Sequence, residues 1–474
     1  MPKNGSLGRV FVVVLSSCSV FLSLAAPVSS LASDAKKCAS GNSQEILVAQ
    51  EKPTVDPATT QPAEPATNPP VSEAKTDTER YTLSHERYEK AVAYSRAGYT
   101  VYFIWVGLGL CGAWLFLHLR LAAKIRDFAE ELTEKRFLQG LIFIPVLFLG
   151  VELIELPVLL YWHSLSLRYQ QSVQGWSPWL LDWAKEELLF AGAAVLFGSL
   201  LFWLLRRSPR QWWALFWASA APIIILVVFI SPWFIDPLFN KFEPLDQTNP
   251  DLVTAIEKVT QRAGLSIPRD HIFLMRASSK TNQINAYVTG FGASKRVVVW
   301  DTTIRKTTMN ETLFIFGHEA GHYVLGHVRN GVLFFTVTFL LAMFAAFHSL
   351  HFLLGKFAAS WRVYGPQDLV CLAVLFLVFK FFMIVSTPIE SSFSREQEHN
   401  ADIFGLEVIH GMVPNSGEVA AHAFQVLGEE DLSDPNPPPF ITFWLYSHPP
   451  LADRLVFAHS YDPWSRQQAP RYVK

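Results

Sequence analysis

The chain has 474 residues, of which 50% are hydrophobic, 14% aromatic and only 17% charged. This composition is too apolar for an ordinary soluble globular protein and indicates a membrane protein large enough for several bundled helices. The formal net charge of -2 excludes the strongly basic surface that nucleic-acid binding requires, so no nucleic-acid partner is expected. The four cysteines have no framework spacing, and no disulfide is predicted.

The first 82 residues form two segments. Residues 1–32 carry Lys3 and Arg9 before an apolar run from Val10 to about Val28, and they end in small residues. This pattern is typical of a secretory signal, although an uncleaved anchor helix is the alternative. Residues 33–82 are rich in Pro, Thr, Ala and charged residues. They cannot bury enough apolar surface to offset their ordering entropy and are predicted to form a disordered linker.

Six later segments are long enough to cross a bilayer as helices, since about 20 apolar residues span the hydrocarbon core. They are approximately residues 98–119, 137–162, 187–205, 212–235, 331–354 and 368–388. We therefore expect four membrane helices within 83–235, a polar insert at 236–330, two more membrane helices within 331–388 and a C-terminal segment at 389–474.

Basic residues in the short loops bear on membrane topology. They concentrate at 120–136, at 206–210 and around Lys356 and Arg362. Lysine and arginine are enriched in cytoplasmic loops, so these three loops are predicted to share the cytoplasmic side. Six crossings then place the insert and the C-terminal segment on the exported face. Together with a signal peptide, this indicates a bacterial inner-membrane protein.

The polar insert reads as a small α+β unit. Its predicted elements are a helix at Leu252–Ala263, strands at His271–Met275, Asn285–Val288 and Arg296–Trp300, and a final helix. Asn310 is the predicted N-cap of that last helix, with Glu311 in its first turn. A peptide could pair with the exposed edge of the second strand, and an ordinary hairpin strand is the alternative.

The final helix of the insert carries the sequence His318-Glu319-Ala320-Gly321-His322. In a helix, His318 and His322 lie on one face, close enough to bind the same metal ion, and Glu319 can reach a bound water. This is the ligand pair and general base of a zinc peptidase. One zinc ion per chain is therefore expected.

A catalytic zinc site takes three protein ligands and leaves one position for water, so a third ligand is expected downstream. The stretch Ser394–Asp402 has a helical composition and places Glu398 and Asp402 four residues apart on one face. Glu398 could complete the coordination, and Asp402 could accept a hydrogen bond from the outer nitrogen of a ligating histidine. Glu396 and His399 project from other sides of the same helix.

Other ionisable residues lie close to or within the predicted spans. Glu152, Glu155 and Lys380 are expected to face inward, because a charge in hydrocarbon is costly without a partner or water. Glu155 and Lys380 either form a pair that braces the bundle or line a hydrated chamber. His327, five residues after His322, is expected to be a hydrogen-bonded structural residue.

Five motifs link these observations. They are Pro237-Leu-Phe-Asn-Lys-Phe242, Asn285-Ala-Tyr-Val-Thr-Gly290, Gly317-His-Glu-Ala-Gly-His322, the stretch Ser394–Asp402 and Ser447-His-Pro-Pro450. In kind and order they resemble the type I CAAX prenyl proteases, a family of integral-membrane zinc metalloendopeptidases. The resemblance runs from about Arg87 to about Phe457. The family's usual first membrane helix has no ordinary counterpart here, where the signal-like segment and linker stand in its place.

The resemblance implies a fold and a site. The fold is mainly α, a polytopic membrane helical bundle that encloses a chamber, with a small α+β zincin-like catalytic domain. The implied residues are His318, His322 and Glu398 as zinc ligands, Glu319 as base, Asn285 and Ala286 near bound substrate, and His448 with Arg454 close to the reaction centre. Either of the last two could stabilise the oxyanion of the tetrahedral intermediate.

Two functions of different classes follow. The first is a zinc endopeptidase in contact with membrane lipid that cleaves peptide or protein substrates, with or without a lipid, in CAAX-box processing or membrane-protein quality control. The second is a non-enzymatic carrier or receptor whose metal is structural. The number of protein ligands distinguishes them, because a structural zinc site is closed by four.

Overall fold

The computed structural model describes residues 81–290 and 295–473. The predicted signal segment at 1–32 and residues 33–80 of the predicted linker lie outside the described residues. The helices are α1 (His85–His118), α2 (Leu121–Leu132), α3 (Arg136–Arg168), α4 (Trp176–Arg207), α5 (Trp212–Phe234), α6 (Asp236–Phe239), α7 (Pro250–Arg262), α8 (Asp301–Lys306), α9 (Met309–Val324), α10 (His327–Trp361), α11 (Val370–Ile409), α12 (Ser416–Glu430), α13 (Pro439–Leu445) and α14 (Leu451–Ser460).

Six of these helices, α1, α3, α4, α5, α10 and α11, are long and apolar enough to cross a membrane. They form a closed ring, because each packs against the next in chain order and α11 returns to pack against α1. Buried apolar side chains hold the ring together, among them Phe143, Leu205, Trp212, Phe335 and Leu375. The predicted fold class, a mainly α membrane bundle with a small α+β domain, is confirmed.

The last membrane helix differs most from its prediction. Hydropathy predicts that this span ends near residue 388, but α11 continues without a break to Ile409 and contains Pro388. The same helix therefore crosses the membrane and carries the stretch Ser394–Asp402. Polar residues beyond Pro388 lowered the hydropathy, yet many of them are buried against the catalytic domain, and this packing sustains the helix.

The insert between α5 and α10 contains a four-stranded sheet. Its strands are β1 (Phe242–Pro244), β2 (Ile272–Met275), β3 (Ala286–Thr289) and β4 (Arg296–Trp300), in the spatial order β1-β2-β4-β3. The β2–β4 pair is parallel, and the two outer pairs are antiparallel. Strand β3 is therefore an edge strand. The three predicted strands match β2, β3 and β4 to within one residue at each end.

The insert and the C-terminal segment share one hydrophobic core. Val299 of β4, Leu313 of α9, Leu406 of α11, Phe424 of α12 and Leu455 of α14 all belong to a single cluster of buried residues. Two stretches of chain separated by a pair of membrane helices thus form one catalytic domain. Apolar burial holds both halves of the predicted metal site in a fixed relation.

Contacts made by the segments that link the membrane helices show that the ring has two distinct ends. At one end, Arg126 of α2 donates to the carbonyl of Arg362 and to Asp368, both in the α10–α11 connection. At the other end, Asp182 near the start of α4 accepts from Lys280 of the insert at 2.5 Å. The catalytic domain therefore lies at the end opposite to two of the three basic loops.

Candidate metal centre

Helix α9, which carries His318 and His322, begins with a capping box. The Thr308 side chain accepts a hydrogen bond from the Glu311 backbone, and Glu311 Oε2 accepts from the Thr308 backbone N–H at 2.9 Å. The predicted N-cap, Asn310, was wrong, because the Thr-x-x-Glu spacing satisfies two backbone donors where Asn310 satisfies none. Glu311 also lies 2.7 Å from Nδ1 of His422, which ties this helix start to α12.

Glycines allow α9 and α11 to approach closely. A Cβ atom on Gly405 would lie 3.0 Å from the backbone nitrogen of His318, and one on Gly317 would lie 2.7 Å from Cγ1 of Val408. Larger residues at either position would separate the helices. The close crossing brings the two histidines of α9 opposite the carboxylates of α11.

Three buried side chains converge at this crossing. His318 Nε2 lies 3.2 Å from Glu398 Oε2, His322 Nε2 lies 3.5 Å from Glu398 Oε1, and the two Nε2 atoms are 3.1 Å apart. One donor atom from each residue falls within 4.8 Å of the others. Two imidazoles and one carboxylate, buried and directed at a common point, fit a divalent metal ion with a further position left for water or substrate.

The outer nitrogen of His318 faces a carboxylate. His318 Nδ1 lies 2.8 Å from Asp402 Oδ1, and Asp402 in turn accepts from Arg454 Nη2 at 2.6 Å and from Arg454 Nε at 2.8 Å. Burial alone would lower the pKa of His318, but the carboxylates of Asp402 and Glu398 raise it to about 9. The contact between Nδ1 and Asp402 fixes the orientation of the His318 ring and directs its Nε2 towards the predicted metal position.

Arg454 binds the carboxylate that also contacts His318. Its guanidinium is buried, and it donates from Nη2 to Oδ1 and from Nε to Oδ2 of Asp402. The structure gives Arg454 the role of charge partner to Asp402, and its place close to the reaction centre stays a prediction. Burial explains the pairing, because Asp402 is fully enclosed and needs a cation to remain charged.

The second histidine of the cluster, His322, has a different outer partner. His322 Nδ1 lies 2.9 Å from Nδ1 of His327, which is buried at the start of α10. Gly326 ends α9 in the left-handed conformation, with a φ of +70°, and turns the chain so that His327 comes back to His322. His327 is thus the hydrogen-bonded residue that the sequence predicts.

His448 lies at the exposed side of the centre. Its Nε2 is 3.1 Å from Glu398 Oε2, its Nδ1 is 2.9 Å from Ser447 Oγ, and its side chain is 30% exposed. Pro449 and Pro450 follow it and lead into α14. The imidazole is therefore held beside the ligand carboxylate at the position that solvent or substrate can reach.

Edge strand β3 packs against α9. The carbonyl of Asn285 accepts from the backbone N–H of Trp300 at 3.1 Å, so the backbone of Asn285 faces β4. Backbone groups alternate in direction along an antiparallel strand, so those of Ala286 and Val288 point to the outer edge. Glu319, half-buried, follows His318 on α9.

Two residues of α11 that the sequence did not single out hold later segments of the chain. Arg395 donates from Nη1 to the carbonyls of Tyr446 at 2.6 Å and Thr442 at 3.1 Å. Glu407 accepts from the consecutive backbone N–H groups of residues 471, 472 and 473 at 2.5, 2.7 and 2.8 Å, which folds the C-terminal residues onto α11. Helical spacing from Glu398 places Arg395 on the ligand face, but no sequence signal identifies the partners of either residue.

Comparison with known proteins decides the family. Residues 246–461 match the model described as peptidase family M48, and residues 72–241 match the model described as CAAX prenyl protease N-terminal, five membrane helices. The chain belongs to peptidase family M48. The part of the second match that the structure describes, from Tyr81 onward, contains four of the long helices.

Individual relatives agree with this assignment. The chain is 34% identical over 376 residues to the uncharacterized metalloprotease YhfN of Bacillus subtilis, covering 78% of this chain and 85% of that protein. It is 29% identical to CAAX prenyl protease 1 of Saccharomyces cerevisiae, covering 67% and 71%. The crystal structure of S. mikatae Ste24p has the same fold, with a TM-score of 0.69, 24% identity and coverage of 83% and 92%.

These matches confirm the resemblance to the type I CAAX prenyl proteases. The M48 protein described here is a multi-pass integral-membrane metalloendopeptidase that acts on peptide or protein substrates. The alternative of a non-enzymatic carrier or receptor is set aside. The cluster of two histidines and one glutamate provides the metal site that the family requires.

Proposed function

We propose that this M48 protease holds one zinc ion through His318, His322 and Glu398 and hydrolyses peptide bonds beside it. The observation that carries the proposal is the convergence of these three buried side chains within 4.8 Å of one another. Borderline nitrogen and oxygen ligands in this number favour zinc over magnesium or calcium, which prefer oxygen ligands alone.

When bound, zinc supplies a Lewis acid that polarises the peptide carbonyl and lowers the pKa of a water molecule. Glu319, next to His318 on α9, accepts the proton of the attacking water and delivers it to the leaving amine. His448 donates from its ring to the carbonyl oxygen as negative charge develops there, since it stands at the exposed side of Glu398.

Asp402 and Arg454 act through His318. The Asp402 carboxylate accepts the Nδ1 proton of His318, so that the ring presents Nε2 to the metal. Arg454 compensates the charge of Asp402 in a buried, bidentate pair. Both residues therefore position a ligand.

An extended peptide would bind along the edge of β3, in the region of Asn285 and Ala286. Main-chain groups of Ala286 and Val288 point to that edge and can pair with the substrate backbone. Such pairing fixes the register of the substrate without selecting particular side chains. It supports cleavage of a broad class of membrane-associated proteins, in contact with membrane lipid, over recognition of a prenyl group alone.

We further propose that the protein resides in a bacterial inner membrane with its catalytic domain on the exported face. The support is that the catalytic domain lies at the end of the ring opposite to the α1–α3 and α10–α11 connections, which carry basic residues. Labelling of an engineered cysteine in the catalytic domain by an impermeant maleimide in intact cells tests this orientation.

The catalytic proposal is tested with Glu319→Gln. Loss of the general base should lower kcat by about 10²- to 10⁴-fold while the zinc content stays unchanged. Glu396→Gln, an exposed carboxylate on α11, is the matched control and should retain full activity. Turnover by Glu319→Gln at the wild-type rate would reject the assignment.

The substrate proposal is tested with a farnesylated peptide and its unmodified twin, both incubated with the protein in lipid vesicles. Equal zinc-dependent cleavage of the two supports the broad specificity proposed here. Cleavage confined to the farnesylated peptide would instead show that the lipid is part of recognition.

A further inference from the structure

One face of α11 binds the segment that carries His448. Ser391, Arg395, Glu398 and Asp402 are spaced by four, three and four residues, so they lie on the same side of the helix. Their contacts with the later segment follow chain order, Ser391 Oγ to Trp444 O at 3.3 Å, Arg395 Nη1 to Tyr446 O at 2.6 Å, Glu398 Oε2 to His448 Nε2 at 3.1 Å and Asp402 Oδ1 to Arg454 Nη2 at 2.6 Å. The segment is thus aligned with α11 residue by residue.

We propose that Arg395 is the positioning residue that sets His448 against the metal centre. This inference rests on the proposed catalytic role of His448 and names a residue that acts through it. Arg395 lies one helical turn before the ligand Glu398, and it binds the chain two residues before His448. A single helix face therefore holds both a metal ligand and the anchor of the neighbouring imidazole.

The guanidinium group suits this position. Its Nη1 donates to two carbonyls at the end of α13, those of Thr442 and Tyr446, and its Nη2 donates to Ser392 Oγ at 2.8 Å. The Thr442 carbonyl also accepts from the Tyr446 backbone N–H at 3.3 Å, whereas the carbonyl of Tyr446, the residue that ends α13, lies beyond the bonds of that helix. Carbonyls at this end of a helix carry partial negative charge, and a planar cation with several donors binds both and fixes where α13 ends.

The chain between this anchor and His448 has little freedom. Tyr446 is held by Arg395 through its carbonyl and by Tyr99 of α1 through its hydroxyl, at an oxygen separation of 2.7 Å. Ser447 contacts His448 Nδ1, and Pro449 fixes the backbone on the other side. Displacement of Tyr446 would therefore move the His448 ring. An error of about 1 Å in a catalytic group can cost about 10²-fold in rate.

A double-mutant cycle tests the proposal. Arg395→Met should lower kcat by about tenfold to a hundredfold, with a smaller change in KM and an unchanged zinc content. Arg395→Lys, which keeps the charge but lacks the planar fork, should recover part of the activity. In the His448→Ala background, Arg395→Met should cause no further loss, because the group it positions is already absent.

Hydrogen exchange of the metal-free protein provides a measurement that does not depend on activity. Arg395→Met should speed amide exchange over residues 439–448 and leave residues 451–460 unchanged, and Glu396→Gln should change neither. Any of three results would overturn the inference. They are losses of kcat from Arg395→Met and His448→Ala that multiply in the double variant, loss of zinc from Arg395→Met, and unchanged amide exchange at 439–448. An inactive wild type would reject the proposed function instead, and exchange would still judge whether Arg395 anchors this segment.

Discussion

Two buried ion pairs in this protein differ in how completely their charges are satisfied. In the catalytic domain, Asp402 accepts two hydrogen bonds from Arg454 and lies 2.8 Å from His318. In the membrane ring, Lys380 donates to one oxygen of Glu155, and the other oxygen, Oε2, is buried without a hydrogen-bond partner among the described residues. The first pair fixes the direction of a metal ligand, whereas the second joins two helices.

The membrane pair also depends on a neighbouring helix for space. Glu155 lies on α3 and Lys380 on α11, and both approach Gly109 of α1, where a Cβ atom would overlap Glu155 Oε1 and lie 3.0 Å from Lys380 Nζ. The pair therefore connects three helices of the ring. The comparison teaches that both oxygens of the carboxylate beside His318 are hydrogen-bonded to a cation, whereas the carboxylate in the bundle is compensated at one oxygen only.

The strongest test of this difference is Arg454→Met. Removal of the cation leaves the Asp402 charge buried, which should lower the free energy of unfolding by about 3–5 kcal/mol and weaken zinc binding. Thermal unfolding in detergent and zinc titration measure the two effects. Adding Asp402→Asn should recover stability because it removes the stranded charge, and a single variant as stable as wild type would contradict the pairing.

In the membrane ring, Glu155→Leu should lower the free energy of unfolding by about 3 kcal/mol, because Lys380 then loses its buried partner. The specific activity of the folded fraction should stay at the wild-type level if the pair is a brace. Leu153→Ala, at a position 63% exposed on the same helix, is the matched control. Lost activity at full stability would instead assign Glu155 to the reaction chamber.

Helix contact at the metal centre is tested with Gly405→Ala. The added methyl group would meet the backbone of His318 and separate α9 from α11, at a cost of about 1–3 kcal/mol in stability. Activity should fall as well, because His318 and Glu398 would move apart. Gly355→Ala in α10, where no atom lies within 4 Å of the added carbon, should leave both stability and activity intact.

The smallest expected effect concerns the start of α9. Thr308→Ala removes the capping side chain and should lower the free energy of unfolding by about 1 kcal/mol. Asn310→Ala is the control, since Asn310 lies within the helix and should change stability little. A larger loss from Asn310→Ala than from Thr308→Ala in thermal unfolding would contradict the observed cap.

Much of the fold follows from sequence because its signals are local. Six apolar runs predict the membrane helices, and the β-branched run within Arg296–Trp300 predicts β4. The spacing of His318 and His322 places both on one helix face, and the same rule places Glu398 with Asp402. Each of these inferences needs only residues from one continuous segment of the chain.

The remaining features depend on contacts between distant parts of the chain. Pro388 and the polar residues after it indicate the end of a helix, yet packing against the catalytic domain carries α11 on to Ile409. Arg454 carries a cation that the sequence alone does not pair, and only the fold shows that its guanidinium binds Asp402. Arg395 acts on a carbonyl 51 residues away in sequence, which no periodicity can reveal.

The central claim is that one metal ion joins α9 to α11, and the zinc content of purified protein tests it most directly. Wild type and the control Glu396→Gln should each bind one zinc ion per chain, while Glu398→Gln should lose it, because only two of the three ligands remain. Full zinc occupancy in Glu398→Gln, at the affinity of wild type, would contradict the account.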